Sequence, residues 1–206
     1  MEIETFKKEI ETILAKQILN PKVILDKFGV LDEEGKKSNI YSDFYHLPFY
    51  YHAAKFWSCK GLLEIGLNSA FFSSFFLAGS KTIDRCLFFQ DQKKERYFPR
   101  IAKANIRKVF KGKFDIFVGD FSDQNWDMLL STRQWDVVLI NDRWTYDSYI
   151  NRLSFIWDHI SDNGVVLIQH AETHNPCNRA VEDFSKIVNR KHVFVHTRYG
   201  IGVIKK

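Results

Sequence analysis

The stretch GLLEIGLNSAFFSSFF, residues 61 to 76, runs apolar into an acid, Glu64, and a glycine, Gly66, and then turns abruptly into a segment with helical spacing. A strand that breaks at a glycine into a helix is how many α/β proteins bring backbone N–H groups to a nucleotide-type ligand. The glycines that ordinarily follow are missing, so two readings stay open: a cofactor turn, or only a strand meeting a helix. Three more segments carry polar side chains just after apolar runs: QDQK with Asp91, NDRWTYD with Asn141 and Asp142, and QHAETHNP with His170 and His174. His170 and His174 stand at an H-x3-H spacing that suits a soft metal, although within a loop such a spacing specifies little.

Whether these segments meet depends on the elements that carry them. Ile3, Phe6, Ile10, Ile13 and Leu14 recur at helical spacing over residues 2 to 17, Pro21 punctuates the chain, and a short apolar stretch, VILDKF, follows. LDEEGKKSNIYSD reads as a loop, and LPFYYHAAKFW as a helix with Pro48 in its first turn. From there LLEIG, RCLFFQ, FDIFVGD, WDVVLIND and GVVLIQH read as strands. They alternate with helices in SAFFSSFFLAG (closed by Gly79), residues 93 to 110, NWDMLL, YDSYINRLSFIWDHI and CNRAVEDFSKIV, and HVFVHT pairs with IGVIKK across RYG. The alternation predicts an α/β fold, a doubly wound, mostly parallel sheet covered by helices on both faces. We expect one domain over residues 1–206: an N-terminal helical cap at 1–58 and a Rossmann-like core at 59–206. Ligands in such sheets sit at the carboxyl ends of the strands, where strand order reverses, so the four polar segments converge.

Composition narrows the function classes. With 206 residues, 45% hydrophobic and 16% aromatic, the chain has ample material for one core and none of the signature of disorder. The formal charge of +5 is spread out, and in KKERYFPRIAKANIRKVFKGK the cations interleave with apolar positions, as on a solvated helix face. Cys59, Cys86 and Cys177 are an odd number without a CxxC pair, which points to a reducing compartment. No apolar run approaches the roughly 18 residues a membrane span needs, and the N-terminus lacks an apolar leader core. A soluble cytoplasmic protein with no membrane partner is predicted.

Taken together, EIGLNSA, the GD at Gly119 and Asp120, NDRWTYDSY, DNGVVLIQH and a terminal YGIGVIKK resemble class I S-adenosylmethionine-dependent methyltransferases. The look is closest to catechol O-methyltransferase and the small bacterial O-methyltransferases, over roughly residues 48 to 206. The resemblance implies a seven-stranded sheet with an antiparallel last strand, and S-adenosylmethionine as cofactor. The family turn runs E-x-G-x-G-x-G, so Glu64 and Gly66 match while Asn68 and Ala70 replace two glycines. Asn enters left-handed backbone readily, and Ala adds one methyl where helix and strand pack closely. The acid that binds the ribose hydroxyls in the family would be Asp91, with Gln90 at the expected strand end; Asp91 could equally N-cap the next helix. Asp120 would take the adenine amino group, Phe121 would cover the ring, and Asn141 would border the cofactor.

Metal-dependent relatives place an Asp after the fourth strand and an Asp-Asn pair after the fifth, where this chain has Asn141 and Gln169-His170. Amides and an imidazole serve Mg²⁺ poorly, so no metal is expected; Asp142 with His170 and His174 is the softer-metal alternative. His170 is the candidate base for removing the acceptor's proton, since a neutral imidazole suits that task near neutral pH, or else a hydrogen-bonded loop histidine. His46 and His52 are reserves. Tyr45, Phe49 and Tyr50 would wall the acceptor pocket or fill the core, and Trp144 stands where relatives often carry a histidine. The reading is metal-independent O-methyl transfer to a small or sugar-like hydroxyl. A methyltransferase-like protein that has lost catalysis is the alternative; nucleic-acid modification rests only on charge, with no NPPY-type run to support it.

Overall fold

The computed structural model describes residues 1–16, 26, 27, 29, 46–57, 59–92, 99–141 and 145–206. Most of VILDKF, the loop LDEEGKKSNIYSD, residues 93–98, and with them Tyr45, Asp142 and Trp144, lie outside these residues. Helices α1 (Ile3–Ala15) and α2 (His46–Phe56) precede β1 (Gly61–Ile65), α3 (Phe71–Gly79), β2 (Arg85–Asp91), α4 (Pro99–Val109) and β3 (Lys113–Gly119). There follow α5 (Gln124–Leu130), β4 (Trp135–Ile140), α6 (Tyr146–Ile156), a 3-10 turn (Trp157–His159), β5 (Ile160–Gln169), α7 (Asn175–Ile187), β6 (His192–Val195) and β7 (Ile201–Lys205).

Seven strands form one sheet in the order β3-β2-β1-β4-β5-β7-β6. β1 to β5 pair in parallel, and β7 runs antiparallel between β5 and β6. The fully buried β1 shows why the strands read as unbroken apolar runs: helices cover both faces. The strand period of two divides the interior. Leu62, Phe88, Leu139 and Leu167 face α1 to α4, whereas Ile65, Phe89, Ile140 and Ile168 face α5 to α7. Phe6 of α1 docks the cap by edge contacts on Phe49 and Phe56.

Three readings change. The first helix is shorter than 2 to 17, and β5 begins at Ile160, ahead of GVVLIQH. β2 extends one residue past Gln90, so Asp91 is a strand residue, paired with Gly119, and not the cap of the following helix. Gly79 is the last residue of α3, but its importance lies in contact: a Cβ there would sit 2.1 Å from the Tyr51 carbonyl oxygen. The cations of α4 are exposed while Ala102, Asn105 and Ile106 are buried, as expected of a solvated basic face. All three cysteines are buried free thiols.

His52, on α2, is 8% exposed, and burial, with Lys55 adding to it, lowers its pKa from 6.5 to about 4. Between those values the unfolded chain binds a proton that the folded chain refuses, so stability falls as pH drops through this window. The urea midpoint is expected to decline from pH 7 toward pH 4.5, and His52→Gln to flatten part of that decline. An identical slope in the variant would contradict this.

Candidate functional site

The site begins with three alternate residues in left-handed backbone at the end of β1: Gly66 at φ 88°, Asn68 at 48° and Ala70 at 58°. Glycine takes this conformation without penalty, Asn with little, and Ala at a cost of about 1–2 kcal/mol. A glycine at each of these positions is what the backbone asks for, and Asn68 and Ala70 follow the path without one. In the sequence Ala70 reads as a packing residue; its backbone conformation is the stricter constraint.

Neighbouring strands hold the turn. Phe89 O accepts from Gly66 N–H at 3.0 Å and Leu67 N–H at 3.2 Å, and Ile65 O accepts from Asn141 N–H at 2.8 Å. Gln90 Oε1 accepts from Asn68 N–H at 2.8 Å, and Asn68 Nδ2 donates to Gly66 O at 3.2 Å. From α4, the buried Asn105 donates to Ser69 O at 3.0 Å. Asn105 escaped the sequence argument, although its signal was present: a polar residue on the apolar stripe shared by Ala102 and Ile106. The turn therefore lies between β1 and β4, where the strand order reverses.

Asp91 and Phe121 come together beside this point, each 7% exposed. Between them lies a residue the sequence did not single out. Arg152 of α6 places a guanidinium nitrogen 3.9 Å from Asp91 Oδ2, and its Cζ is 3.8 Å from the Phe121 ring centroid. Asp120 Oδ1 accepts from Ser122 N–H at 3.1 Å and from its hydroxyl at 2.8 Å, which fixes the carboxylate at the edge of the same region.

On the other face of the sheet, Glu64 is 1% exposed, and Tyr50 and Gln169 are equally enclosed. Burial pushes the Tyr50 phenol well above its usual pKa; the neighbouring Gln169 side chain opposes the shift, and the Glu64 charge adds to it. Phe49 is fully buried against Phe6 and Tyr50, so of the two readings for these aromatics it takes the core one.

His170, just after β5, is itself left-handed at φ 59°, a conformation that marks a tightly specified turn. Its ring packs against Tyr199 at 4.8 Å and His174 at 5.4 Å, and Nδ1 is buried. Tyr199 O accepts the N–H groups of Glu172 and Thr173, both at 3.3 Å, tying this loop to the β6–β7 turn. Among the described residues no three His, Cys, Asp or Glu side chains cluster in a way that could hold a metal ion. His46 is the first residue of α2.

No protein-family model and no curated protein matches the chain. Solved structures do. A candidate caffeoyl-CoA O-methyltransferase from Staphylococcus aureus superposes with a TM-score of 0.67 at 16% identity, over 98% of this chain and 99% of that one. The O-methyltransferase of Bacillus cereus, solved with S-adenosylhomocysteine, gives 0.61 at 12% over 100% of both chains. TomG of Streptomyces achromogenes, an O-methyltransferase of tomaymycin synthesis solved with S-adenosylmethionine, gives 0.62 at 12%, over 100% and 98%. The chain thus has the Rossmann-like fold of the class I O-methyltransferases, seven strands with the antiparallel β7 included.

Proposed function

We propose that the chain is an S-adenosylmethionine-dependent methyltransferase, working as one domain, which transfers a methyl group to the hydroxyl of a small or sugar-like molecule without a metal. The observation that supports this reading is the run of left-handed residues at positions 66, 68 and 70, a path that favours glycine, in the turn after β1 at the carboxyl end of the sheet. The residues fit the cofactor. Gly66 and Asn68 present the turn, Gln90 and Asp91 stand at the end of β2, Asp120 and Phe121 follow β3, Asn141 follows β4, and Glu64 lies beneath. The names of the structural neighbours support a hydroxyl acceptor. No described helix is long and apolar enough to cross a membrane, and three buried thiols suit the cytoplasm.

The bound cofactor supplies a methyl group on a sulfonium, which needs a nucleophile on its far side. His170 stands at the end of β5 to take the acceptor's proton, and Tyr199 and His174 pack against its ring. Gln169, an amide held against Tyr50, replaces a carboxylate that Mg²⁺ would require. Melting temperature is expected to rise with S-adenosylhomocysteine, by mass action on the folded state. Failure of both S-adenosylmethionine and S-adenosylhomocysteine to stabilise the chain at millimolar concentration would sink the reading. Methyl transfer is also expected to survive EDTA; abolition by EDTA and recovery with Mg²⁺ would overturn metal independence.

A further inference from the structure

Arg152 reaches from α6 into the region of Asp91 and Phe121. A guanidinium stacked 3.8 Å above the Phe121 centroid covers the ring face, and the same group lies 3.9 Å from Asp91 and 5.6 Å from the Phe89 centroid. Side-chain exposure is 13% for Arg152 and 9% for Asp91, so the pair is shielded from water and its interactions count for more than those of a surface pair. Planar guanidinium and planar base compete for the same aromatic face, while a charged donor and a hydroxyl donor compete for the same carboxylate.

We propose that Arg152 is the specificity-setting cap of the nucleoside subsite. It stands in for a base on Phe121 and for a ribose hydroxyl on Asp91, and a nucleoside binds by displacing it. The inference rests on the cofactor reading above and adds to it a residue that tunes it. A ligand offering both a flat ring and a hydroxyl donor recovers what the guanidinium gives up; a ligand offering only one recovers half.

The test compares wild type, Arg152→Ala and Arg152→Gln by calorimetry with S-adenosylhomocysteine and with adenosine. Arg152→Gln keeps a hydrogen-bond donor for Asp91 in case the Ala variant leaves that carboxylate stranded and the chain unfolded. Both ligands are expected to bind Arg152→Ala on the order of tenfold more tightly than wild type, with adenosine, which lacks the methionine half, showing the full gain, and to bind Arg152→Gln, which uncovers Phe121 but still donates to Asp91, more tightly than wild type by a smaller factor. Unchanged or weaker binding in folded variants, with wild type still binding, overturns the cap and leaves the cofactor reading standing. If neither wild type nor variant binds either ligand, both fall.

Discussion

His170→Ala is expected to lower methyl transfer on the order of 10²- to 10⁴-fold while leaving S-adenosylhomocysteine affinity nearly unchanged, because general-base catalysis contributes about that much. The geometry narrows the expectation. His170 sits in left-handed backbone, so an Ala there carries a conformational cost that has nothing to do with chemistry. His170→Asn separates the two effects: Asn accepts the left-handed conformation but cannot take up a proton near neutral pH. Loss of turnover in both variants, with melting temperature kept in the Asn variant, identifies the imidazole as the base. Full turnover in a folded Asn variant would remove His170 from the chemistry. His52 is a weak replacement, since its burial beside Lys55 has already cost it most of its basicity.

Gly79→Ala is expected to destabilise the fold by about 3 kcal/mol, the upper end of what overpacking ordinarily costs. The added Cβ would lie 2.1 Å from the Tyr51 carbonyl oxygen, 2.9 Å from its carbon and 3.0 Å from its Cα. All three are backbone atoms, so no side chain can rotate away, and α2 must shift from α3. The shift would reach the site, because α2 carries Tyr50 onto Gln169 next to Glu64. Denaturant midpoints on purified protein measure the effect, and a loss below about 1 kcal/mol would show that the two helices separate easily.

The architecture was legible because it rests on short-range patterns. Apolar runs such as LLEI and DVVLI, each bounded by a helical period, gave the parallel sheet, and RYG between HVFVHT and IGVIKK gave the antiparallel end. Boundaries were less legible: the ladder from β2 to β3 continues through Asp91, where the apolar run has already stopped. The strand-end rule brought the polar segments to one end of the sheet, but it could not say which side chain of β2 holds the turn. Gln90 does so through a single amide oxygen, and Asp91 faces Arg152 instead. Arg152 itself was invisible, since within YDSYINRLSFIWDHI an Arg among apolar positions reads as a solvated face. Only the packing of α6 against this face of the sheet brings it to Phe121. Ala70 shows the opposite case, a residue noticed for its size whose backbone angle proved the more informative feature.

The central claim is that the turn after β1 still binds the nucleoside cofactor, and amide chemical shifts recorded during titration with S-adenosylhomocysteine test it site by site. The account predicts saturable shifts at Gly66, Asn68, Asp120 and Asn141, with the groove formed by Arg85, Lys111, Lys113 and Arg133 at the opposite end of the strands unmoved. Shifts confined to that groove, or none at millimolar ligand, would contradict it.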